Sequence, residues 1–242
     1  MRGVHRHTDV IPNQVFVGCP WRVTLPKYQK AIGKLKTKYP IRFTIVGWDD
    51  GHDAEDLLGK IKARIDSSSY ALFDGTGGNP NVSLEYGYAE AKDIPRVIYL
   101  STHKASQRNG GESPIISDLA SKSRKNYKLG SDLKRLLEEF CQDHVFTKRF
   151  DVAFPSSRTE ERKKRRDLAL KLIHVFTEKD TTLLRPQISH RLRGTKHRKK
   201  ELAANELDAL ITNAIKRLTK AGLLRRRKNG FALACAPSWR MR

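Results

Sequence analysis

Two carboxylates bracket a glycine-rich stretch in residues 72–91, LFDGTGGNPNVSLEYGYAEA. Asp74 closes an apolar, β-type run. Glu85 falls in the first turns of the helical segment that follows, whose start is marked by the N-cap types Asn79 and Asn81 and is placed close to Asn81. From there Glu85 points back toward the strand ends, into the crevice that Asp74 also faces. Such a pair can divide labour: one carboxylate holds ribose hydroxyls, and the other stabilises or attacks an oxocarbenium-like centre as an N-glycosidic bond breaks. The competing reading is that Glu85 only decorates a helix N-terminus, where the helix dipole favours negative charge. Spacing alone leaves both open.

Other reactive groups carry less. His52 sits beside Asp49, Asp50 and Asp53, but no second His lies at ligand spacing, so helix capping and a solvated turn are preferred to a metal site. The GTGG of residues 75–78 lacks the Lys-Ser/Thr of a P-loop, which argues against ATP hydrolysis. Cys19 is either a nucleophile or a small packing thiol, and without an identifiable partner His the packing role is favoured. Trp48 is a base-stacking wall or ordinary core. The three cysteines, Cys19, Cys141 and Cys235, are far apart and form no CxxC pair, which excludes a disulfide framework or zinc ribbon and suits a reducing, cytoplasmic home.

The elements that must position these groups alternate between strand and helix. Val15–Gly18 is a buried first strand; 25–39 has helical spacing at Tyr28, Ile32 and Leu35; Ile41–Val46 returns to strand; and Asp53 caps a helix buried through Leu57, Leu58, Ile61 and Ile65. Tyr70–Phe73 is a third strand, Val82–Lys92 a helix, Arg96–Leu100 a fourth strand and 129–140 a closing helix. Alternation of this kind predicts an α/β fold, a doubly wound and mostly parallel sheet, because parallel strands need crossover helices. Ligands of such sheets bind outside the carboxyl ends of the strands. The candidate nucleotide and ribose contacts are therefore Gly18, Cys19, Pro20 and Trp21 after strand one, Trp48 and Asp50 after strand two, and Asp74, Gly75, Asn79 and Asn81 after strand three.

Charge divides the 242-residue chain. Residues 158–242 hold 24 Lys+Arg against 8 Asp+Glu, a net of +16 of the total of +22. A basic half this dense attracts polyanions through phosphate neutralisation, so DNA or RNA is the expected partner, with a solvated basic surface as the bland alternative. The Pro/Ser stretch Pro155–Arg158 marks a linker, giving domains at 1–155 and 156–242. In the second, a helix from Asp167 buries Leu168, Leu170, Leu172, Ile173 and Phe176. Pro186–Leu192 is a short helix, and Leu202–Ala221 a long amphipathic one ended by Gly222. Residues 223–233 form a hairpin signalled by Asn229-Gly230. Three helices and a basic hairpin follow the order of a winged helix, and KAGLLRRRKNGFALA resembles the wing of such domains. The candidate nucleic-acid contacts are Lys199 and Lys200 in the basic loop, Asn205, Asn213, Lys216 and Arg217 on the long helix, and Arg225, Arg226, Arg227 and Lys228 on the wing. No run of the sequence is long and apolar enough for a membrane span, and the start MRGVHRHTDVIPNQ lacks the apolar core of a secretory signal, so no membrane partner is expected.

VFVGCPW (15–21), GWDDGHD (47–53) and above all FDGTGGNPNVSLEYGYAEA (73–91) resemble the superfamily that joins nucleoside 2-deoxyribosyltransferases with TIR-like nucleotide-binding domains. The pattern Asn-Pro-Asn-Val-x-x-Glu-x-Gly-x-Ala before an apolar strand is similar to the TIR-like signature of bacterial immune effectors, and Ile115–Leu119 followed by Tyr127 is similar to the C-terminal region of the deoxyribosyltransferases. The resemblance covers about residues 13–143. It implies a flavodoxin-like sheet, cleavage of the nicotinamide–ribose bond of NAD by Glu85, a ribose or nucleobase contact at Asp74, and a nucleotide lined by Gly18 and Pro20. Two departures stand out: Tyr86 replaces the commoner aliphatic residue between Glu and Gly, and Cys19-Pro20-Trp21 replaces a small Ala-Gly-Pro loop.

The function expected from these residues is an N-glycosidase acting on the ribosyl C–N bond of NAD or a related nucleotide. It would be an antiviral-defence effector with a nucleic-acid-binding winged helix, needing no cofactor (NAD being the candidate substrate) and capable of homo-oligomerisation. The alternative is a non-catalytic, nucleotide-sensing DNA-binding regulator. A weaker third reading is a transferase modifying bases of a bound nucleic acid.

Overall fold

A computed structural model describes residues 10–46, 57–103, 123–179, 182–194, 204–235 and 239. By packing, the chain divides into two units: Met1–Leu35, Phe43–Phe140 and Cys235–Arg242 form the first, and Lys36–Arg42 with Cys141–Ala234 the second.

The first unit is built on five strands, β1 (Ile11–Gly18), β2 (Arg42–Thr44), β3 (Ser68–Asp74), β4 (Arg96–Ser101) and β5 (Arg124–Tyr127), in the order β2-β1-β3-β4-β5. The pairings β1–β3, β3–β4 and β4–β5 are parallel. This is the doubly wound α/β fold that the alternation implies, in the flavodoxin-like order. Its register aligns Gly18 with Phe73, Asp74 with Tyr99, and Ser101 with Tyr127, which sets the carboxyl ends of four strands along one edge. Between β1 and β3 the strand order reverses, and crossovers leave in opposite directions at that switch point.

Helices α1 (Leu25–Leu35), α2 (Leu57–Asp66), α3 (Pro80–Ala91) and α4 (Gly130–Asp143) cover the sheet. Alternation along the strands sends neighbours to opposite faces. Phe16, Ala71, Phe73 and Ile98 pack with Ile65 of α2 and Val82, Tyr86 and Ala89 of α3. On the other face Tyr70 meets Phe140 of α4 at a ring separation of 5.0 Å, and the Tyr99 hydroxyl donates to the Leu136 carbonyl. Tyr28 and Leu35 of α1 are buried. Each fully buried side chain of this size contributes about 1.5–3 kcal/mol.

Three boundaries differ from the sequence reading. First, β1 begins at Ile11 rather than Val15, because buried Asn13 and Gln14 hide the strand from a hydrophobicity pattern. The Gln14 side-chain amide donates to the Ser67 and Ser68 hydroxyls, and the Gln14 backbone carbonyl accepts from the Ser69 hydroxyl. Second, a fifth strand, β5, reads RKNY and exposes all but Tyr127, so it carries no apolar run. Third, α3 starts one turn-residue earlier than Asn81: Asn79 is the N-cap, its Oδ1 accepting from the Asn81 and Val82 amides, with Pro80 preset at the first helical position. The cap expected at Asp53 lies outside the described residues.

The second unit holds α5 (Val145–Ala153), α6 (Glu160–Lys179), α7 (Arg185–Gly194), α8 (Ala204–Lys220) and an antiparallel hairpin of β6 (Leu224–Arg227) and β7 (Gly230–Leu233). Its core joins Leu172, Ile173 and Phe176 of α6, Ile188 of α7, Ile211, Ile215 and Leu218 of α8, and Leu224 and Leu233 of the hairpin. Leu183 forms an antiparallel bridge to Phe231. Helix α5, which the sequence reading passed over, buries Phe146 and Phe150 and packs on α8, so this unit begins ahead of the Pro155–Arg158 stretch. No described helix is long and apolar enough to cross a membrane.

His144 caps α5, its Nδ1 accepting from the Phe146 amide at 3.2 Å, and it is 4% exposed. Burial pushes its imidazole down to about 4. The fold thus needs neutral His144, while the unfolded chain takes a proton below its ordinary value near 6.5. The contribution is complete above pH about 6.5 and is lost as pH falls toward about 4, amounting to at most about 3 kcal/mol. In urea titrations at pH 7 and pH 4.5, the wild type should lose more stability between the two than His144→Asn, which keeps a capping oxygen but does not titrate. Equal losses would remove this residue from the acid response.

Candidate active site

The strand-end loops are held by their own backbone. After β1, the Pro20 carbonyl accepts from the Val23 and Thr24 amides and the Thr24 hydroxyl, which fastens the Gly18-Cys19-Pro20 turn to the start of α1. After β3, residues Thr76–Gly78 make one 3₁₀ turn in which Gly77 adopts φ of 73°, a left-handed conformation that glycine reaches without steric cost. The Gly75 amide donates to the Tyr99 carbonyl, and the Ser101 amide donates to the Thr76 hydroxyl at 2.8 Å, joining the ends of β3 and β4.

Asp74 and Glu85 reach this edge differently. Because Phe73 belongs to the α2/α3 face, Asp74 points to the opposite one. There its carboxylate is fully buried and accepts from the Tyr127 hydroxyl at 2.6 Å and the Thr76 amide at 3.0 Å. Burial raises its pKa, and the bonds from Thr76 and Tyr127 pull it back. Burial and the neighbouring Asp74 charge together hold the Tyr127 phenol far above its ordinary value, so it stays a donor. Tyr28, also fully buried, feels the same charge.

Glu85 comes from α3 on the other face and has no such company. Its Oε2 is buried without a hydrogen-bond partner among the described residues, and burial pushes the carboxyl up to about 7. The space it occupies exists only because residue 18 is glycine: a Cβ there would lie 2.4 Å from Glu85 Oε2 and 2.9 Å from Phe73 Cδ1. Cys19 feels both carboxylates. Burial first, then Asp74 and Glu85, push its thiol well above the ordinary range, so it is a protonated packing group and not a thiolate.

The structure thus gathers Gly18, Cys19, Pro20, Asp74, Gly75 and Glu85 at the switch point, and adds Thr76, Ser101 and Tyr127 to the residues read from sequence. It does not hand all of them to a ligand. Asp74 is spent on Tyr127 and Thr76, and the Asn79 side chain on capping α3, while Asn81 is exposed in the first turn of that helix. Trp21 is 48% exposed. Tyr86 packs edge-on to Phe73 with the Arg96 guanidinium over its other side, so it belongs to the core and not to a pocket wall. Trp48 and Asp50, like His52 and its acidic neighbours, lie outside the described residues, and among the described residues no group of His, Cys, Asp and Glu could hold a metal.

Of the candidate nucleic-acid contacts, Asn213, Lys216 and Arg217 are exposed on α8, as are Arg226, Arg227 and Lys228 on the hairpin, while Arg225 is half-buried. Asn205 lies in the first turn of α8. Lys199 and Lys200 are outside the described residues.

No protein-family model matches the chain, and no curated protein matches it by sequence. Among solved structures it is similar to a 2-desoxiribosyltransferase from Leishmania mexicana, at 12% identity and a TM-score of 0.42, over 55% of this chain and 100% of that one.

Two substitutions test the Gly18–Glu85 approach. Glu85 has its pKa raised by folding, so the neutral form favours the fold. Its stabilisation is complete below about pH 4.5 and is lost as pH rises through about 7. Glu85→Gln should therefore stabilise the protein at pH 8, by up to about 3 kcal/mol, with the gain vanishing toward pH 4. Gly18→Ala should cost about 1–3 kcal/mol at either pH, because the added methyl must displace the carboxylate and the Phe73 ring. Thermal unfolding across pH reads both.

Proposed function

We propose that the first unit is a glycosidase that breaks the ribosyl C–N bond of a nucleotide, with NAD as the favoured substrate and Glu85 as the catalytic carboxylate. One observation carries this: a buried carboxylate oxygen with no partner among the described residues, at the switch-point edge of a doubly wound sheet. An unpartnered buried acceptor costs about 1–3 kcal/mol in the resting protein. Its missing partner is positive charge, and positive charge is what develops at the anomeric carbon as the bond breaks. An interaction absent at rest and present in the transition state is the kind that accelerates a reaction.

The chemistry favours a pyridinium leaving group. As the C1′–N bond of NAD breaks, its electron pair passes to the ring nitrogen, and nicotinamide departs neutral without needing a proton. Glu85 then stabilises C1′ or bonds to it, and water completes hydrolysis, giving up one proton. A neutral nucleobase would need an acid to protonate it, and Asp74, bonded to Tyr127 and Thr76, is committed elsewhere. Asp74 and Tyr127 act instead as positioning residues that fix the loop after β3.

The second unit runs α6, the Leu183 bridge, α7, α8 and hairpin, the order of a winged helix. Together with its excess of basic residues, this supports a nucleic-acid-contacting module, and the pair of units suits an antiviral-defence effector. The same basic excess favours one alternative, a regulator whose first unit senses a nucleotide without cleaving it.

Purified protein incubated with NAD should release nicotinamide, and Glu85→Gln should lower kcat by about 10²–10⁴-fold with the fold intact. Because the carboxylate form is required, kcat/KM should rise with pH, tenfold per unit, and level off above about 7. A Glu85→Gln enzyme within a few-fold of wild type would refute the assignment. NAD that binds uncleaved and alters DNA affinity would favour the sensing regulator.

A further inference from the structure

Between Pro20 and Leu35, which span the turn after β1 and the whole of α1, the chain carries four basic residues and no acidic one. Lys30 and Lys34 are exposed along the helix, where a solvated face accounts for them. Arg22 and Lys27 are placed differently. Arg22 is exposed in the turn that the Pro20 carbonyl fastens, and among the described residues it has no ion-pair or hydrogen-bond partner. Lys27, half-buried in the first turn of α1, holds its ammonium over the Tyr127 ring, 5.9 Å from the centroid. The Tyr127 hydroxyl in turn donates to Asp74 at 2.6 Å. Cys19, three residues before Arg22, lies within electrostatic reach of Asp74, Glu85 and Tyr127. Two cations therefore stand at the edge of the sheet that holds both carboxylates, and neither offsets the burial of Glu85.

We propose that Arg22 and Lys27 hold the phosphate carried on C5′ of the ribosyl substrate, which makes the site selective for nucleotides over free nucleosides. The assignment rests on the reading of this edge as a nucleotide site and names the residues that recognise the anion. A ribosyl ligand without phosphate brings no negative charge toward Asp74 and Glu85. A 5′-phosphate or a diphosphate does, and like charges brought together in a partly buried site oppose binding. Cations at that edge offset the repulsion, and charge-assisted bonds to phosphate oxygens add attraction. Lys27 supplies a point charge on a flexible stem, and Arg22 a planar fork able to bond two oxygens at once. The phosphate is not a reacting group, so its contacts favour the ground state and the transition state alike and act on KM rather than kcat.

The test is calorimetry on the full chain carrying Glu85→Gln, to suppress turnover, with NAD, nicotinamide mononucleotide and nicotinamide riboside as probes. NAD should bind at least about tenfold more tightly than the riboside. A matching gain for the mononucleotide assigns the contact to the 5′-phosphate, and a gain confined to NAD assigns it to the diphosphate; either supports the proposal. Lys27→Met, which keeps the apolar stem over Tyr127, and Arg22→Met should each weaken NAD by about 10–100-fold and leave the riboside within about twofold. Lys30→Met and Lys34→Met remove the same charge farther along α1 and should bind NAD as their parent does. With Glu85 intact, Lys27→Met should raise KM for NAD by the same factor and leave kcat within about threefold, and circular dichroism checks that all variants are folded. A riboside bound as tightly as NAD, failure of all three probes to bind, unchanged NAD affinity in both Lys27→Met and Arg22→Met, or equal weakening by Lys30→Met would each overturn the proposal. If the wild type leaves NAD intact while Lys27 and the phosphate govern its binding, the catalytic reading fails alone. If NAD and the riboside are cleaved with equal kcat/KM, the phosphate assignment fails alone.

Discussion

Glu85 can lie where it does because β1 ends in a residue without a side chain. The carboxylate Oε2 occupies the position that a Cβ of Gly18 would need, 2.4 Å away by ideal geometry, with the Phe73 ring close behind. The register of β1 with β3 sets Gly18 beside Phe73, and the cap at Asn79 fixes the phase of α3 that brings Glu85 over the pair. Sheet order, capping and core packing therefore converge on one carboxyl, whose Oε2 is buried. Its high pKa follows from that placement, since among the described residues no donor or cation offsets the desolvation.

The two carboxylates of the switch point show how burial alone does not set a role. Asp74 is the more deeply enclosed, yet it holds two donors and fastens β3 to β5 through Tyr127, as the Thr76 hydroxyl fastens β3 to β4. Glu85 is less enclosed and unsatisfied. A buried network that is complete rigidifies its surroundings, whereas an incomplete one is either a defect or a reservoir for a ligand. The arrangement places the incomplete group beside a rigid frame.

Much of this frame was legible in the sequence, and the failures have physical causes. The apolar runs at 70–73 and 96–100 and the helical spacing of Tyr28 and Leu35 announce their elements, because there one face is buried and the pattern records it. Pairing of Gln14 with a row of serines replaces hydrophobicity in β1 with hydrogen bonds, and no periodicity reports that. The edge strand β5 buries only Tyr127, so its place is set by pairing with β4 and by one bond to Asp74. For the site, residue types pointed to Asp74 and Glu85 together. What spacing could not supply is the strand alternation that sends them to opposite faces and leaves only one of them unpartnered. On α8, composition gave the charge, but the committal of Arg217 to Phe154 and Ala153 is a tertiary fact.

The most direct measurement is the titration of Glu85 itself, followed by carbon NMR of protein labelled at glutamate carboxyls, with Glu85→Gln assigning the signal. With its Oε2 buried and unpartnered among the described residues, Glu85 should titrate with a midpoint near 7 in the free protein. That midpoint should fall by more than about one unit when a cationic iminoribitol, carrying its charge where the anomeric carbon would, fills the crevice. A midpoint near the ordinary 4.5 in the free protein, or one that the cation leaves unmoved, would contradict the account.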